Sequence, residues 1–108
     1  MHSQKSANRY TVLKEQTPDC VLLMPEGAFM QVLQDDARAI SEVTGLRLLM
    51  TGEVDAPVVL GRFPKSGLDA YVGKLVRARQ SVAIALQDER KVRHLEEVIR
   101  IAEEDGSL

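Results

Sequence analysis

The stretch SGLDAYVGKLVRARQSVAIAL, residues 66–86, decides the fold because it predicts a helix followed directly by a buried strand. Apolar residues recur through its first half at spacings of three and four: Leu68, Tyr71, Val72, Leu75 and Val76. This spacing gives a helix one continuous apolar face. Ser66 stands where a capping-box serine begins such a helix, and the apolar run over residues 81–86 is typical of a central strand.

The same alternation of strands and helices extends over the rest of the chain. The predicted strands cover residues 20–24, 28–33, 46–50, 58–60 and 81–86, and the predicted helices cover residues 9–16, 35–44 and 68–79. This order is typical of an α/β or α+β domain in which about three helices pack on a mixed β-sheet. After Gln87 two alternatives remain, a strand over residues 96–102 or a helix that begins near Asp88.

Turn-forming residues set the expected ends of several elements. Pro25 and Gly27 should end the first strand. Gly45 should end the second helix, because glycine suits the position after a helix C-terminus. Gly61 and Pro64 should end the fourth strand.

Length and composition indicate one globular domain. The chain has 108 residues, of which 44% are hydrophobic and 28% charged. Residues 1–9 lack periodicity and are expected to form a disordered N-terminal arm, followed by a single domain over residues 10–108. The sequence has neither an apolar run of ~18 residues nor a signal-peptide core. The lone Cys20 suits a reducing compartment and equally suits a small buried hydrophobic residue. We therefore expect a cytoplasmic protein without membrane contact.

The charge balance counts against strong binding to nucleic acid. The chain carries 14 Lys and Arg against 16 Asp and Glu, a net charge of −2, whereas a free-standing nucleic-acid binder usually has a strong positive balance. Any phosphate contacts must come from a few cations. The candidates are Lys65, Lys74 and Arg77, followed along the chain by Arg79, Arg90, Lys91 and Arg93. The alternative is that these residues form an ordinary solvated helix face and a charged loop.

Signatures of catalysis or of a cofactor site are missing from the sequence. The segment over residues 61–67 has the residue types of a phosphate-binding loop but not their spacing. Cys20 and His94 lack a third residue that would complete a nucleophilic site. Asp35 and Asp36 are adjacent on a helix, where neighbours point about 100° apart, so a solvated helix N-terminus is the expected role. We expect no enzyme activity, no metal site and no cofactor.

One pair of side chains does suggest a binding site. If residues 28–33 form a strand, Phe29 and Gln31 lie on the same side of it, roughly 6.5–7 Å apart, and Met30 lies on the other. A phenyl ring beside an amide can stack on a nucleobase and hydrogen-bond its edge. The alternative is that Phe29 and Leu33 are core residues and Gln31 lies at a sheet edge.

The order of segments resembles the N-terminal mismatch-recognition domain, domain I, of the MutS family of DNA mismatch-repair proteins. The resemblance runs over about residues 10–101 and rests on YTVLKEQTPD at residues 10–19, GAFMQVLQDDA at residues 27–37, and the series from Phe63 through KLVR and SVAI to Gln87. Together these segments have the order and spacing of the family, which implies its mixed α/β fold.

The resemblance also implies a site. In the family a Phe-x-Glu motif enters the minor groove at a mispair, where the phenyl ring stacks on a mispaired base and the carboxylate hydrogen-bonds it. By position, Phe29 corresponds to the wedge, Gln31 to the base-edge contact and Met30 to the variable middle residue. The implied partner is double-stranded DNA, bound weakly by the chain in isolation.

This sequence departs from the family pattern around that site. Gln31 replaces the glutamate and Ala28 replaces an acidic residue. Residues 24–26 stand where the family has an arginine-containing turn. Arg62 occupies the place of a glycine two residues before Pro64.

Two functions follow as expectations. The first is a stand-alone domain I-like module that binds mismatched or distorted duplex DNA within a larger repair process, without an ATPase of its own. The alternative is a repurposed module that keeps the fold, has lost mismatch reading and binds other proteins. A fragment of a longer protein is also compatible with the sequence.

Overall fold

Six strands form a mixed sheet with three helices packed on it, in the part of the chain that the computed structural model describes, residues 4–87, 90 and 92–101. The elements are α1 (Gln4–Gln16), β1 (Val21–Glu26), β2 (Phe29–Leu33), α2 (Gln34–Thr44), β3 (Leu48–Glu53), β4 (Ala56–Pro64), a 3-10 turn (Lys65–Gly67), α3 (Leu68–Arg77), β5 (Val82–Gln87) and β6 (Arg93–Ile99). The strand order is β3-β4-β2-β1-β5-β6, in which β1 and β5 are parallel and the other neighbours antiparallel. The predicted fold class is confirmed.

The helices divide between the two faces of the sheet. Helices α2 and α3 pack on one face, where Met30, Ile40, Phe63 and Leu75 belong to one apolar cluster. Helix α1 packs on the other face with a second cluster: Tyr10, Leu13, Cys20, Leu22, Met24, Leu33, Leu60, Ala83 and Ala85. Alternate residues of β1 and β2 therefore supply two separate cores.

The apolar stripe of the third helix packs as its spacing predicts. Leu75 is fully buried, and the Tyr71 ring stacks on Phe63 with 4.0 Å between ring centroids. The capping role expected for Ser66 is wrong. The helix begins at Leu68, after the 3-10 turn, and no side chain caps its N-terminus. Gly45 ends α2 as predicted, at φ +77°, and its N–H donates to the Ser41 carbonyl.

Two expected strand breakers instead lie inside strands. Pro25 belongs to β1 at a point where the ladder to β5 has already ended at Leu23, so the missing N–H of proline costs no ladder bond. Gly61 also lies within β4, at a position that leaves little room for a side chain, since a Cβ there would come within 3.0–3.1 Å of the Leu46, Leu48 and Val32 side chains. Neither residue interrupts its strand. The N–H that proline lacks is not needed by a neighbouring strand at this point, and the side chain that glycine lacks would have little room.

The N-terminal end of the chain differs from the expectation, and the C-terminal end follows one of the two alternatives. Helix α1 begins at Gln4, within the segment that was expected to be a disordered arm, and residues 1–3 lie outside the described residues. The segment after Gln87 contains strand β6, so the helical alternative is wrong for residues 93–99. Residues 88, 89, 91 and 102–108 lie outside the described residues.

A buried carboxylate joins three elements. Asp36 Oδ2 accepts hydrogen bonds from the Tyr10 hydroxyl at 2.6 Å and from the Leu22 N–H at 3.1 Å, and Lys14 Nζ lies 2.8 Å from Oδ1. These contacts connect α1, β1 and the first turn of α2. The expected solvated role therefore holds for Asp35, whose side chain is 98% exposed, and is wrong for Asp36, whose side chain is 8% exposed.

We expect Asp36→Ala to lower the free energy of unfolding by about 3 kcal/mol, because it removes the acceptor of the buried Leu22 N–H and the anion beside the Lys14 ammonium. The Tyr10 hydroxyl and the Lys14 ammonium would each keep one backbone acceptor, the carbonyls of Leu22 and Cys20. The matched control, Asp35→Ala, removes an exposed carboxylate that pairs with Arg38 and should change stability by less than about 0.5 kcal/mol. Urea denaturation measures both. Equal losses in the two variants would contradict the assignment.

The stability of the fold should also fall in alkaline solution. Burial, and then the neighbouring Asp36 carboxylate, raise the pKa of the Tyr10 phenol well above its ordinary value of 10.0. The unfolded chain therefore releases this proton first, and the stabilisation, complete below pH 10, is lost as the pH rises toward the pKa of the folded state. Urea denaturation between pH 8 and about 11 should show a shallower decline for Tyr10→Phe than for the unchanged protein. Identical declines would exclude this contribution.

Candidate nucleic-acid interface

The β1–β2 hairpin places Phe29 at the end of the sheet. Glu26 pairs with Phe29, so only Gly27 and Ala28 form the turn. Gly27 has φ +62°, and a glycine with positive φ in the first turn position matches the type II′ hairpin. The Lys65 N–H donates to the Ala28 carbonyl at 3.1 Å and holds the turn against the end of β4. This short turn presents Phe29 with 39% of its surface exposed.

Arg62 lies next to the exposed ring. Its guanidinium carbon is 5.1 Å from the centroid of the Phe29 ring, within range of a cation–π interaction. Arg62 belongs to β4 and pairs in register with Gln31, while Phe29 pairs with Pro64. The arginine therefore contacts the ring from the neighbouring strand, on the side of the sheet that α1 covers.

The three residues of the predicted motif differ in how deeply they are buried. Phe29 and Gln31 share a face of β2, as expected, but Gln31 is only 1% exposed. Met30 is 1% exposed on the opposite face, in the cluster with Ile40 and Phe63. The alternative interpretation placed both Phe29 and Leu33 in the core. In the structure Leu33 is a core residue and Phe29 is not. The accessible part of the motif is the phenyl ring.

Further charged groups meet at the same hairpin. Arg93 of β6 pairs with Glu26 at 3.2 Å and donates from Nε to the Pro25 carbonyl at 2.7 Å. Arg9 of α1 donates in turn to the Arg93 carbonyl at 2.9 Å. The first helix and the last strand thus both hold the hairpin. Sequence alone gave no signal that Arg9 belongs here, because the contact joins residues at opposite ends of the chain.

The cations predicted to contact phosphates do not all lie together. Lys65 follows Pro64, the strand partner of Phe29, and is therefore near the hairpin. Lys74 and Arg77 are exposed on α3, on the other side of the sheet from the Phe29 ring, and Lys74 Nζ lies 5.6 Å from the Tyr71 ring centroid. Among the remaining candidates, Arg79 and Arg90 are exposed, Arg93 is bound to the hairpin, and Lys91 lies outside the described residues.

Groups with catalytic potential are unfavourably placed. Cys20 is buried, and burial, followed by the nearby Asp19 carboxylate, raises the pKa of its thiol, which disfavours the nucleophilic thiolate. His94 is exposed on β6. Over the described part of the chain, no three His, Cys, Asp or Glu side chains are grouped so that they could hold a metal ion. No described helix is long and apolar enough to cross a membrane.

Comparison with known proteins gives consistent matches. The family model of MutS domain I matches residues 4–102. The DNA mismatch repair protein MutS of Porphyromonas gingivalis is 38% identical over 90 residues, covering 81% of this chain and 10% of the relative. That of Symbiobacterium thermophilum is 35% identical over 94 residues, with 81% and 10% covered. That of Salinibacter ruber is 35% identical over 82 residues, with 75% and 9% covered. The chain spans about a tenth of the length of these relatives.

The exposure of Phe29 predicts that the fold does not depend on it. Phe29→Ala should lower the free energy of unfolding by about 1 kcal/mol, the size expected for one exposed cation–π contact and partial burial. Phe63→Ala, the matched control, removes a buried ring stacked on Tyr71 and should cost about 3–5 kcal/mol. Urea denaturation compares them. A loss above about 3 kcal/mol for Phe29→Ala would show that the ring is a core residue.

Proposed function

Because the chain belongs to the MutS domain I family, part of the DNA mismatch repair proteins, we propose that it binds mismatched or distorted duplex DNA through the Phe29 hairpin. One observation carries the proposal: Phe29 is a large aromatic residue that is 39% exposed in the strand position directly after a tightly held two-residue turn. The chain has only two Phe, and the other is fully buried. An exposed ring on a rigid hairpin suits insertion between bases.

The physical basis of selectivity is the cost of opening the base stack. Inserting an apolar wedge unstacks a base step and kinks the duplex, which costs roughly a few kcal/mol. The cost is lowest at a mismatched pair, because part of the pairing and stacking energy is already lost. The nearby Arg62 and Lys65 add positive charge where the hairpin would approach the phosphates.

Binding by this chain alone should be weak. Its net charge is −2, and the cations near the hairpin are few. Affinity carried by a few phosphate contacts falls in the range of non-specific binding, a Kd of roughly 10⁻⁴–10⁻⁶ M at physiological salt. The relatives are about ten times longer than the matched region, so we propose that the chain acts as the base-contacting part of a larger assembly.

A second candidate function, a protein-interaction module, is favoured by the far end of the sheet. Strand β3 is an edge strand, and around its hairpin with β4 Leu49 is 47%, Met50 70% and Val54 101% exposed. Apolar side chains collected at an open sheet edge are typical of a contact surface between proteins.

Fluorescence anisotropy of a labelled duplex, matched or with one G·T mispair, tests the first proposal at low salt and at ~150 mM salt. We expect several-fold tighter binding to the mispaired duplex and a loss of that preference in Phe29→Ala. Met50→Ala is the control, since it removes an exposed apolar side chain from the far hairpin and should leave DNA binding unchanged. Absence of binding to either duplex at low salt would refute the DNA-binding proposal and favour the second candidate.

A further inference from the structure

We propose that Arg62, rather than Gln31, is the side chain that accompanies Phe29 into the minor groove. This inference rests on the proposed function and names a residue that determines how the site reads DNA. By position in the family, Gln31 is the expected base-edge contact, and Arg62 replaces a glycine.

The first step concerns which side chains are accessible. The Gln31 side chain is 1% exposed and lies within the sheet on the side that α1 covers, so its amide does not reach the surface at which a duplex would approach. Arg62, its strand partner, is exposed. A ligand that meets the Phe29 ring therefore meets the guanidinium before it meets the amide.

The second step concerns rigidity. Five consecutive residue pairs fix the register of β2 against β4, from Phe29–Pro64 to Leu33–Leu60. The hydrogen bond from Lys65 N–H to the Ala28 carbonyl also ties the end of β4 to the turn. With its guanidinium carbon 5.1 Å from the ring centroid, Arg62 is held in place beside Phe29. Ring and cation therefore enter a groove together.

The third step concerns charge. Glu26, the carboxylate on the same hairpin, forms its ion pair with Arg93. Arg62 takes part in no salt bridge within the described residues, so its charge is available to a ligand. The minor groove is a region of negative potential, so it attracts cationic side chains such as arginine. A neutral, buried Gln31 supplies no such attraction, so the second contact beside the ring is electrostatic.

The experiment measures Kd against salt concentration for the full chain and its variants by anisotropy, on the matched and G·T duplexes. Arg62→Gln should weaken binding to both duplexes about tenfold and reduce the slope of log Kd against log salt by about 0.9, the loss of one cationic contact. Arg62→Lys should keep most of the slope. Lys74→Gln is the matched control, since it removes one exposed positive charge on the other side of the sheet and should leave the slope unchanged.

The outcomes separate the two proposals. If Phe29→Ala abolishes the mispair preference while Arg62→Gln leaves both slope and affinity unchanged, the proposed function stands and the role of Arg62 is overturned. If Gln31→Met, which keeps the side chain long and buried, abolishes the preference, Gln31 is the contact and the inference is wrong. If the unchanged protein binds neither duplex, the proposed function fails and this inference fails with it. A purely structural role of Arg62 would change stability in urea and leave the salt slope unchanged.

Discussion

The carboxylate of Asp36 is the interaction on which the arrangement of the other parts depends. Helix α1 is the only described helix on its side of the sheet, and its sequence is largely polar. Its place is set where the Tyr10 hydroxyl and the Lys14 ammonium reach Asp36. The same carboxylate accepts the Leu22 N–H of β1, so one buried anion satisfies donors from a helix and a strand. A buried charge is costly when its hydrogen bonds are not made, so these contacts favour one arrangement of the three elements.

The position of the β1–β2 hairpin depends on Asp36 through helix α1. Tyr10 connects the helix to Asp36, and Arg9 connects it to Arg93 of β6. Arg93 in turn forms an ion pair with Glu26 and donates a hydrogen bond to the Pro25 carbonyl. The turn that carries Phe29 is thus braced from the first helix, the last strand and the end of β4. A braced turn loses little conformational freedom when it binds, which is the condition under which an exposed side chain makes an effective wedge.

Local sequence patterns were sufficient for the fold class and for most of the regular elements. The stripe from Leu68 to Val76 and the apolar run of β5 depend on neighbours a few residues away, and both appear as predicted. Pro25, Gly61 and Asp36 were misjudged because their roles depend on residues far along the chain. An aspartate at a helix N-terminus looks the same in the sequence whether water or Tyr10 faces it.

The candidate site also combines features that follow from local sequence with features that depend on distant residues. Its hairpin and the shared face of Phe29 and Gln31 follow from alternation along one strand. The burial of Gln31 and the nearness of Arg62 to the ring do not, because they depend on the pairing of β2 with β4. Strand alternation and family position both pointed to Gln31, because both compare residues along the chain and take no account of what covers them.

The parallel pair of β1 with β5 has a consequence for the order of folding. Val21 pairs with Val82, so the centre of the sheet closes only after most of the chain is available, whereas β1 to β4 need only residues up to Pro64. Contacts of such large sequence separation form late and slowly. During synthesis, β1, whose residues 21–25 are all buried in the folded protein, must wait with one edge unpaired until β5 leaves the ribosome. We expect aggregation to be favoured at this nascent stage, because an apolar strand edge is then open to other chains.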